Sequence, residues 1–258
     1  MPSWTPFPHV SAFPFDADSV RKKWSKLHLG DQEPLPQDPK VLAAWVHFHQ
    51  GEFQLAFEAG LKAGPDGITV ANKAACIYAN YLEPKEKIKH EIFNEVAQRA
   101  ALQIAANPEL ANAHYWQGYA LGRFSQGISV ARALALGLGR KIKTAFETTI
   151  RLEQQHGDAH IALGTFHAEV IDKVGAMIGN MTYGAKKDIS LQLFQQGLAL
   201  KPTSPIALME YANALVILEG DSRHEEATAL YERAAATEPM DAMERLDVDM
   251  AQAELASS

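Results

Sequence analysis

From Asp38 onward the large apolar residues return every three or four positions. No stretch alternates apolar and polar residues with a period of two, so the chain reads as a succession of helices without strands. Ile88–Ala106 is a long helical stretch that the Asn107-Pro108 pair closes, and a last helix is expected over about Asp241–Leu255. Residues 1–38 are different. Seven prolines crowd there (Pro2, Pro6, Pro8, Pro14, Pro34, Pro36 and Pro39 at its edge), and the next is Pro65. This predicts an irregular arm with one short helix near Ala17–Leu27, ahead of a helical-repeat domain over 39–258. Trp4, Phe7, Phe13, Phe15 and Trp24 make the arm too aromatic for a solvated tail. Either it docks on the body as an N-terminal cap, or it lies in a groove and competes with a ligand.

The helices come in pairs with a recurring set of small and large positions. His160-Ile161-Ala162-Leu163-Gly164-Thr165-Phe166-His167 is followed by Ser190, Phe194, Gly197 and Pro202. Leu208, Tyr211, Ala212 and Leu215 are followed by Ala227, Tyr231, Ala234 and Pro239. His114, Gly118 and Leu121 open another pair, which Ala145 and Thr149 continue, with Gly157 where proline is expected. Gly51–Ala56 with Ala63 is a weaker copy. Small residues are needed where two helices cross closely, large ones fill the space beside the crossing, and proline stops the second helix. This is the tetratricopeptide pattern. It implies an all-α solenoid of about five helix pairs plus a C-terminal capping helix.

Two consecutive pairs are longer than the pattern allows. A strict repeat leaves about twelve residues between the small residue of the first helix and that of the second. Gly118 to Ala145 is 27 and Gly164 to Ser190 is 26, whereas Ala212 to Ala227 is 15. The third and fourth pairs therefore carry insertions that read as helix extensions, projecting on one side of a solenoid. The first, residues 123–144, holds Ile128, Val130, Leu134, Leu136 and Leu138. It also holds five cations (Arg123, Arg132, Arg140, Lys141, Lys143) and no acidic residue. The second, residues 169–188, sets Val174, Met177, Ile178 and Met181 at near-helical spacing before a turn at Tyr183-Gly184. One reading is that the two apolar stripes bury each other. The other is that Ile128, Leu134, Met177, Met181 and Tyr183 line a binding surface, with Arg132, Arg140, Lys141 and Lys143 as a rim for a carboxylate or an acidic segment.

The charge of the whole chain is −7. From Asp221 to the end there are ten acidic and three basic residues, so this segment carries all of it and residues 1–220 sum to zero. A nucleic-acid partner is disfavoured for want of a positive excess. The single cysteine, Cys76, cannot form an internal disulfide or a cysteine cage for zinc, and its apolar neighbours suggest a buried small side chain. MPSWTPFPHV does not read as an export or lipidation signal, and no apolar run reaches a membrane-spanning length. The expectation is a cytoplasmic protein without a membrane span.

Ten histidines raise the question of a metal. His114 and His160 occupy equivalent large-residue slots of the repeat, and His47 and His49 point to different sides of one helix. No carboxylate–histidine set has ligand spacing on one face, so neither a metal nor a cofactor is expected. The sequence has no G-x-S-x-G, no glycine-rich phosphate loop and no H-E-x-x-H. No catalytic residues are expected.

The stretch from Asn112 to Gly220 resembles a known family, the regulator of microtubule dynamics proteins. It also resembles their bacterial relatives, which include periplasmic tetratricopeptide partners of TRAP-type transporters. The residues that carry the resemblance are Ala113-His114-Tyr115-Trp116, Gly122-Arg123-Phe124 with Gly127-Ile128, Leu163-Gly164 with Glu169-Val170, and Tyr183-Gly184-Ala185 before Phe194. The resemblance implies a helical scaffold that binds a partner and does not catalyse. The function expected is an adaptor that holds a protein or peptide in a concave groove formed by the repeats and the two insertions. A carrier of a small apolar or carboxylate-bearing ligand between the extended helices is the alternative, and a homo-oligomer is compatible with either.

Overall fold

The computed structural model describes residues 4–257, and among them every regular element is helical. The first three residues of the arm, Pro2 among them, lie outside the described residues. The chain gathers into two compact units. One comprises the arm up to His28, Gln32–Leu152 and Met240–Met243. The other comprises Leu29–Asp31, Glu153–Pro239 and the chain from Glu244 onward.

The first unit begins with α1 (Ala17–Leu27), whose start is fixed by a reciprocal cap. The Asp16 carboxylate accepts from the Ser19 N–H at 2.7 Å, and the Ser19 hydroxyl accepts from the Asp16 N–H at 2.8 Å. Next comes α2 (Pro39–Gln50), which Asp38 caps and Pro39 opens. It ends at Gly51, whose φ of +87° suits a residue without Cβ. Then follow α3 (Phe53–Lys62), α4 (Ile68–Tyr81), α5 (Glu86–Ala106), α6 (Ala111–Gln126), α7 (Val130–Ala135) and α8 (Leu138–Leu152). Each of α2 to α5 packs on the next, α6 packs on α8, and the first helices of successive pairs also touch, α2 with α4 and α4 with α6. That is the nearest-neighbour packing of a helical repeat.

The crossing of α6 over α8 depends on Gly118. A Cβ there would meet the Phe146 ring at 2.8 Å and the Ala145 Cβ at 3.1 Å. The arm packs on this unit, with Phe7, Phe15, Val20, Trp24 and Leu27 buried. Beneath it the His49 ring is fully buried, 2.7 Å from the Asp241 carboxylate through Nδ1 and 3.3 Å from His28 Nε2 through Nε2. His28 in turn stacks on Trp24 at 4.0 Å. The Lys73 ammonium is also buried, 5.1 Å from the Phe48 ring centre and 5.6 Å from that of Trp45.

The second unit holds α9 (Gly157–Val174), α10 (Ala176–Tyr183), α11 (Lys187–Leu200), α12 (Pro205–Glu219), α13 (His224–Ala235) and most of α14 (Ala242–Ser257). Its core joins Ile161, Phe194, Leu208, Tyr211, Leu215 and Leu230, with Phe194 stacked on Tyr211 at 5.3 Å. Gly164 lets α9 and α11 approach, since a Cβ would lie 3.1 Å from the Phe194 ring and 3.2 Å from the Ser190 carbonyl. The buried Lys201 ammonium sits 2.7 Å from the Glu244 carboxylate. α12 begins with Ser204 as cap and Pro205 in its first turn.

The insertions take a particular form. α6 and α9 run on for 16 and 18 residues, beyond the ordinary first helix of a repeat. Each insertion then folds as a separate short helix, α7 or α10, and does not continue the long one. Glycine sits at both breaks: Gly127 caps α6, and Gly175, with φ +80°, ends α9.

Candidate functional site

The first insertion contributes Ile128, half-buried between α6 and α7, Arg132 and Leu134 on α7, and Arg140, Lys141 and Lys143 on α8. Ser129 caps α7 by accepting from the Arg132 N–H at 3.3 Å. No residue of α7 is buried: Val130, Leu134 and Leu136 are 43%, 48% and 44% exposed. α8 turns Leu138, Ile142, Ala145, Phe146 and Thr149 inward. Arg140 and Lys141 lie on its exposed side, in its first turn, where there is no acidic residue.

The five cations of this insertion are not equivalent. Lys143 is bonded to Glu147 one turn on. Arg123 lies 5.3 Å from the Tyr119 ring centre and reaches the Gln126 side chain at 3.3 Å. Among the described residues Arg132, Arg140 and Lys141 have no carboxylate within ion-pair distance. The two on α8 also stand at the positive end of the helix dipole, which disfavours cations.

The second insertion, in the other unit, places Met177, Met181 and Tyr183 on α10. The helix lies close on α9 through Gly179, where a Cβ would meet Val170 at 3.0 Å. Its outer side is apolar: Met177 is 75%, Ile178 53% and Met181 82% exposed. Each insertion thus leaves its large apolar side chains exposed within its own unit. α10 buries Gly179 against α9, whereas α7 is a six-residue helix that buries no side chain, so both leave their bulky apolar residues to solvent. Tyr183 differs from the methionines. It is half-buried, edge-on to Phe166 at 6.2 Å, and serves packing.

The arm forms a third feature. Trp4 stacks on Tyr78 at 4.1 Å and 11°, with Phe57 at 5.2 Å. Phe7 is buried, edge-on to Phe53 at 6.2 Å. An open cleft of about 490 Å³ lies between residues 4–14 of the arm and residues 50–55. The aromatic residues signalled that the arm is not a solvated tail. They did not signal the seat, which Tyr78, Phe57 and Phe53 supply from distant positions in the sequence.

The cysteine thiol and the buried histidine–aspartate pair are closed off. Burial pushes the Cys76 thiol far above its ordinary pKa, away from the nucleophilic thiolate. The His49–Asp241 pair resembles the orienting half of an acid–base dyad, but the His49 ring is fully buried. Among the described residues no cluster of three or more His, Cys, Asp or Glu could hold a metal ion, and no helix is long and apolar enough to cross a membrane.

No family model and no curated protein sequence matches the chain. Among solved structures it is similar to the crystal structure of a thermophilic TPR protein from Thermus thermophilus. The TM-score is 0.58 at 15% identity, over 83% of this chain and 97% of that one. At that identity the likeness concerns the fold, and the chain has a tetratricopeptide-type all-α repeat fold.

Proposed function

We propose that the chain is a non-catalytic scaffold that holds a protein or peptide partner, and that the surface of α7 and the start of α8 is a principal contact. Tetratricopeptide folds in general serve protein–protein interaction. The observation that carries the reading is the combination on α7 and α8. Three large apolar side chains stand nearly half-exposed beside Arg132, Arg140 and Lys141, none of which has an acidic partner among the described residues. Exposed apolar area next to unpaired charge marks a surface that gains from being covered. An acidic segment would neutralise the cations and complement the α8 dipole, while its apolar residues would dehydrate Val130, Leu134 and Leu136.

The exposed methionines of α10 belong to the same reading, since flexible thioether side chains adapt to a partner's surface. We place the scaffold in the cytoplasm, where the single buried thiol of Cys76 is at home. We also regard the chain as a divergent relative of the regulator of microtubule dynamics proteins. The kinship is supported by the two insertions, each folding as an extra helix after the first helix of its pair.

The test compares affinity capture by the wild type with capture by Arg132→Glu/Arg140→Glu/Lys141→Glu, read by quantitative mass spectrometry at low and high salt. The expected partner carries an acidic segment. It is lost from the variant and weakened as salt screens exposed charges. An unchanged partner set would remove the basic surface from the account.

A further inference from the structure

The arm of this chain reads as a peptide ligand held in its own binding seat. Residues 4–8, Trp-Thr-Pro-Phe-Pro, touch the body through two aromatic anchors three residues apart, while Thr5, Pro6 and Pro8 between and after them are exposed. The seat for Trp4 is the face of Tyr78, flanked by Phe57, whose ring in turn carries the Arg99 guanidinium at 5.1 Å. The seat for Phe7 is made by Phe53 and by the missing side chain of Gly51, where a Cβ would lie 2.5 Å from the Phe7 ring.

Two backbone N–H groups of the segment donate to side chains of the body. Trp4 donates to Gln54 Oε1 at 2.9 Å, and Thr5 donates to the Tyr78 hydroxyl at 3.5 Å. That hydroxyl is oriented by its own donation to Glu83 at 2.6 Å. Aromatic rings that seat bulky side chains, with a few side-chain groups that read the backbone, form the recognition mode used for proline-bearing extended peptides. Such peptides lose little conformational freedom on binding, because proline fixes φ.

The stretch that ties these anchors to the rest of the chain is partly open to solvent. Val10 is 77% exposed, and Ser11 adopts a φ of +65°, a left-handed conformation that favours glycine. The open cleft runs along this same stretch. The next anchors, Phe15 and α1, hold the arm independently of Trp4 and Phe7, since Phe15 is buried and its carbonyl accepts from Gln50 Nε2 at 2.5 Å.

We infer that the surface formed by Gly51, Phe53, Gln54, Phe57 and Tyr78 is a binding site for an extended partner segment with two bulky aromatic residues three apart and proline between them, and that residues 4–8 occupy it in cis until such a segment displaces them. This site is distinct from the α7–α8 surface and stands whether or not that surface binds an acidic partner. The short tether makes the resident segment a strong competitor, because it presents the segment at an effective concentration in the millimolar range. A foreign segment therefore gains access when the arm is released or when it binds more tightly than the arm does.

The experiment uses the full-length chain with Trp4→Ala/Phe7→Ala, which vacates both seats, and a fluorescein-labelled peptide of residues 1–10 followed by fluorescence anisotropy. The expected result is saturable binding to the variant, at least tenfold weaker binding to the wild type, and no binding of a peptide with both aromatics changed to Ala. Equal binding to wild type and variant would overturn the inference, and so would no binding to a variant that unfolds cooperatively. Light scattering that shows the wild type dimerising through exchanged arms would also overturn it, because the seat would then serve a second copy of this chain. Should the double variant not fold, Trp4→Ala alone vacates the half-exposed anchor. Peptide binding to that variant supports the inference, and its absence counts against it.

Discussion

Gly118 and Gly122 stand four residues apart on α6, one turn of the same helix, and differ in what a methyl group would meet. At Gly118 a Cβ would lie 2.8 Å from Phe146 Cε1, 3.0 Å from its Cδ1 and 3.1 Å from the Ala145 Cβ; at Gly122 nothing lies within 4 Å. Alanine in place of glycine within a helix stabilises by about 1 kcal/mol through backbone entropy, and this contribution is common to both sites. Phe146 is 4% exposed and packed 5.9 Å from the Tyr115 ring, so it cannot swing aside cheaply. Overpacking at such a crossing costs about 1–3 kcal/mol. Gly122→Ala should therefore raise stability by about 0.5–1 kcal/mol, and Gly118→Ala should be neutral to about 2 kcal/mol destabilising. Both sites lie in the first unit, so one transition in urea, followed by far-UV circular dichroism, reports both. If Gly118→Ala proved as stable as Gly122→Ala, the close crossing of α6 over α8 would be wrong, and with it the repeat geometry that places the first insertion.

Three further outcomes follow from the same structure. Arg140→Glu should not destabilise the protein and should raise its stability by about 0.3–1 kcal/mol, because an anion in the first turn of α8 suits the dipole where the cation does not; a loss of stability in thermal melts would show that Arg140 has a partner in the fold. Lys201→Met removes the ammonium bonded to the buried Glu244 carboxylate and should lower stability, by at most about 3–5 kcal/mol, part of which Lys201→Met/Glu244→Leu should restore, and equal stabilities of the single and double variants would refute the pairing. The hydrogen bonds from the Ser19 N–H and hydroxyl hold the Asp16 carboxyl below its usual pKa, so the charged cap stabilises the fold above about pH 4 and is lost as pH falls through the lower folded value. In acid titrations the wild type should lose stability relative to Asp16→Asn over that range, and parallel curves would show that the charge of the cap does not matter.

The sequence was most informative where one residue type has one physical role. Gly118, Gly164 and Ser190 mark helix crossings because only small residues fit there, and each is found at such a crossing. α1 falls on Ala17–Leu27, where a short helix is expected between the prolines of the arm. The insertions were visible as excess length, but their conformation was not. Gly127 and Gly175 could have sat inside continuous helices, and only tertiary packing decides that the chain breaks there. The apolar stripes were visible too, but not their exposure, since periodicity reports that a helix has an apolar side and not what covers it. The aromatic seat of the arm was the least legible part. Trp4 meets Tyr78 across a separation set entirely by how α2, α3 and α4 stack, and no local pattern encodes that meeting.

The repeat pattern accounts for the helix-pair cores of both units, and what it leaves exposed is instructive. A large apolar side chain gains about 1.5–3 kcal/mol when it is fully removed from water. Val130, Leu134 and Leu136 on one short helix, and Met177, Ile178 and Met181 on another, forgo much of that gain in the free chain. A partner that covers either group recovers it, so each is a ready source of affinity, but they differ in how they discriminate. The first is accompanied by three cations without carboxylate partners among the described residues, and therefore penalises a basic segment as well as rewarding an acidic one. Beside the second, Lys173 is near Glu169 at 3.9 Å and Lys187 is bonded to Glu219 at 2.7 Å, so its nearby charge is already balanced. Salt should accordingly weaken contacts made through α7 and α8 and leave those made through α10 nearly untouched. This difference in salt response separates the two surfaces even before a partner is identified.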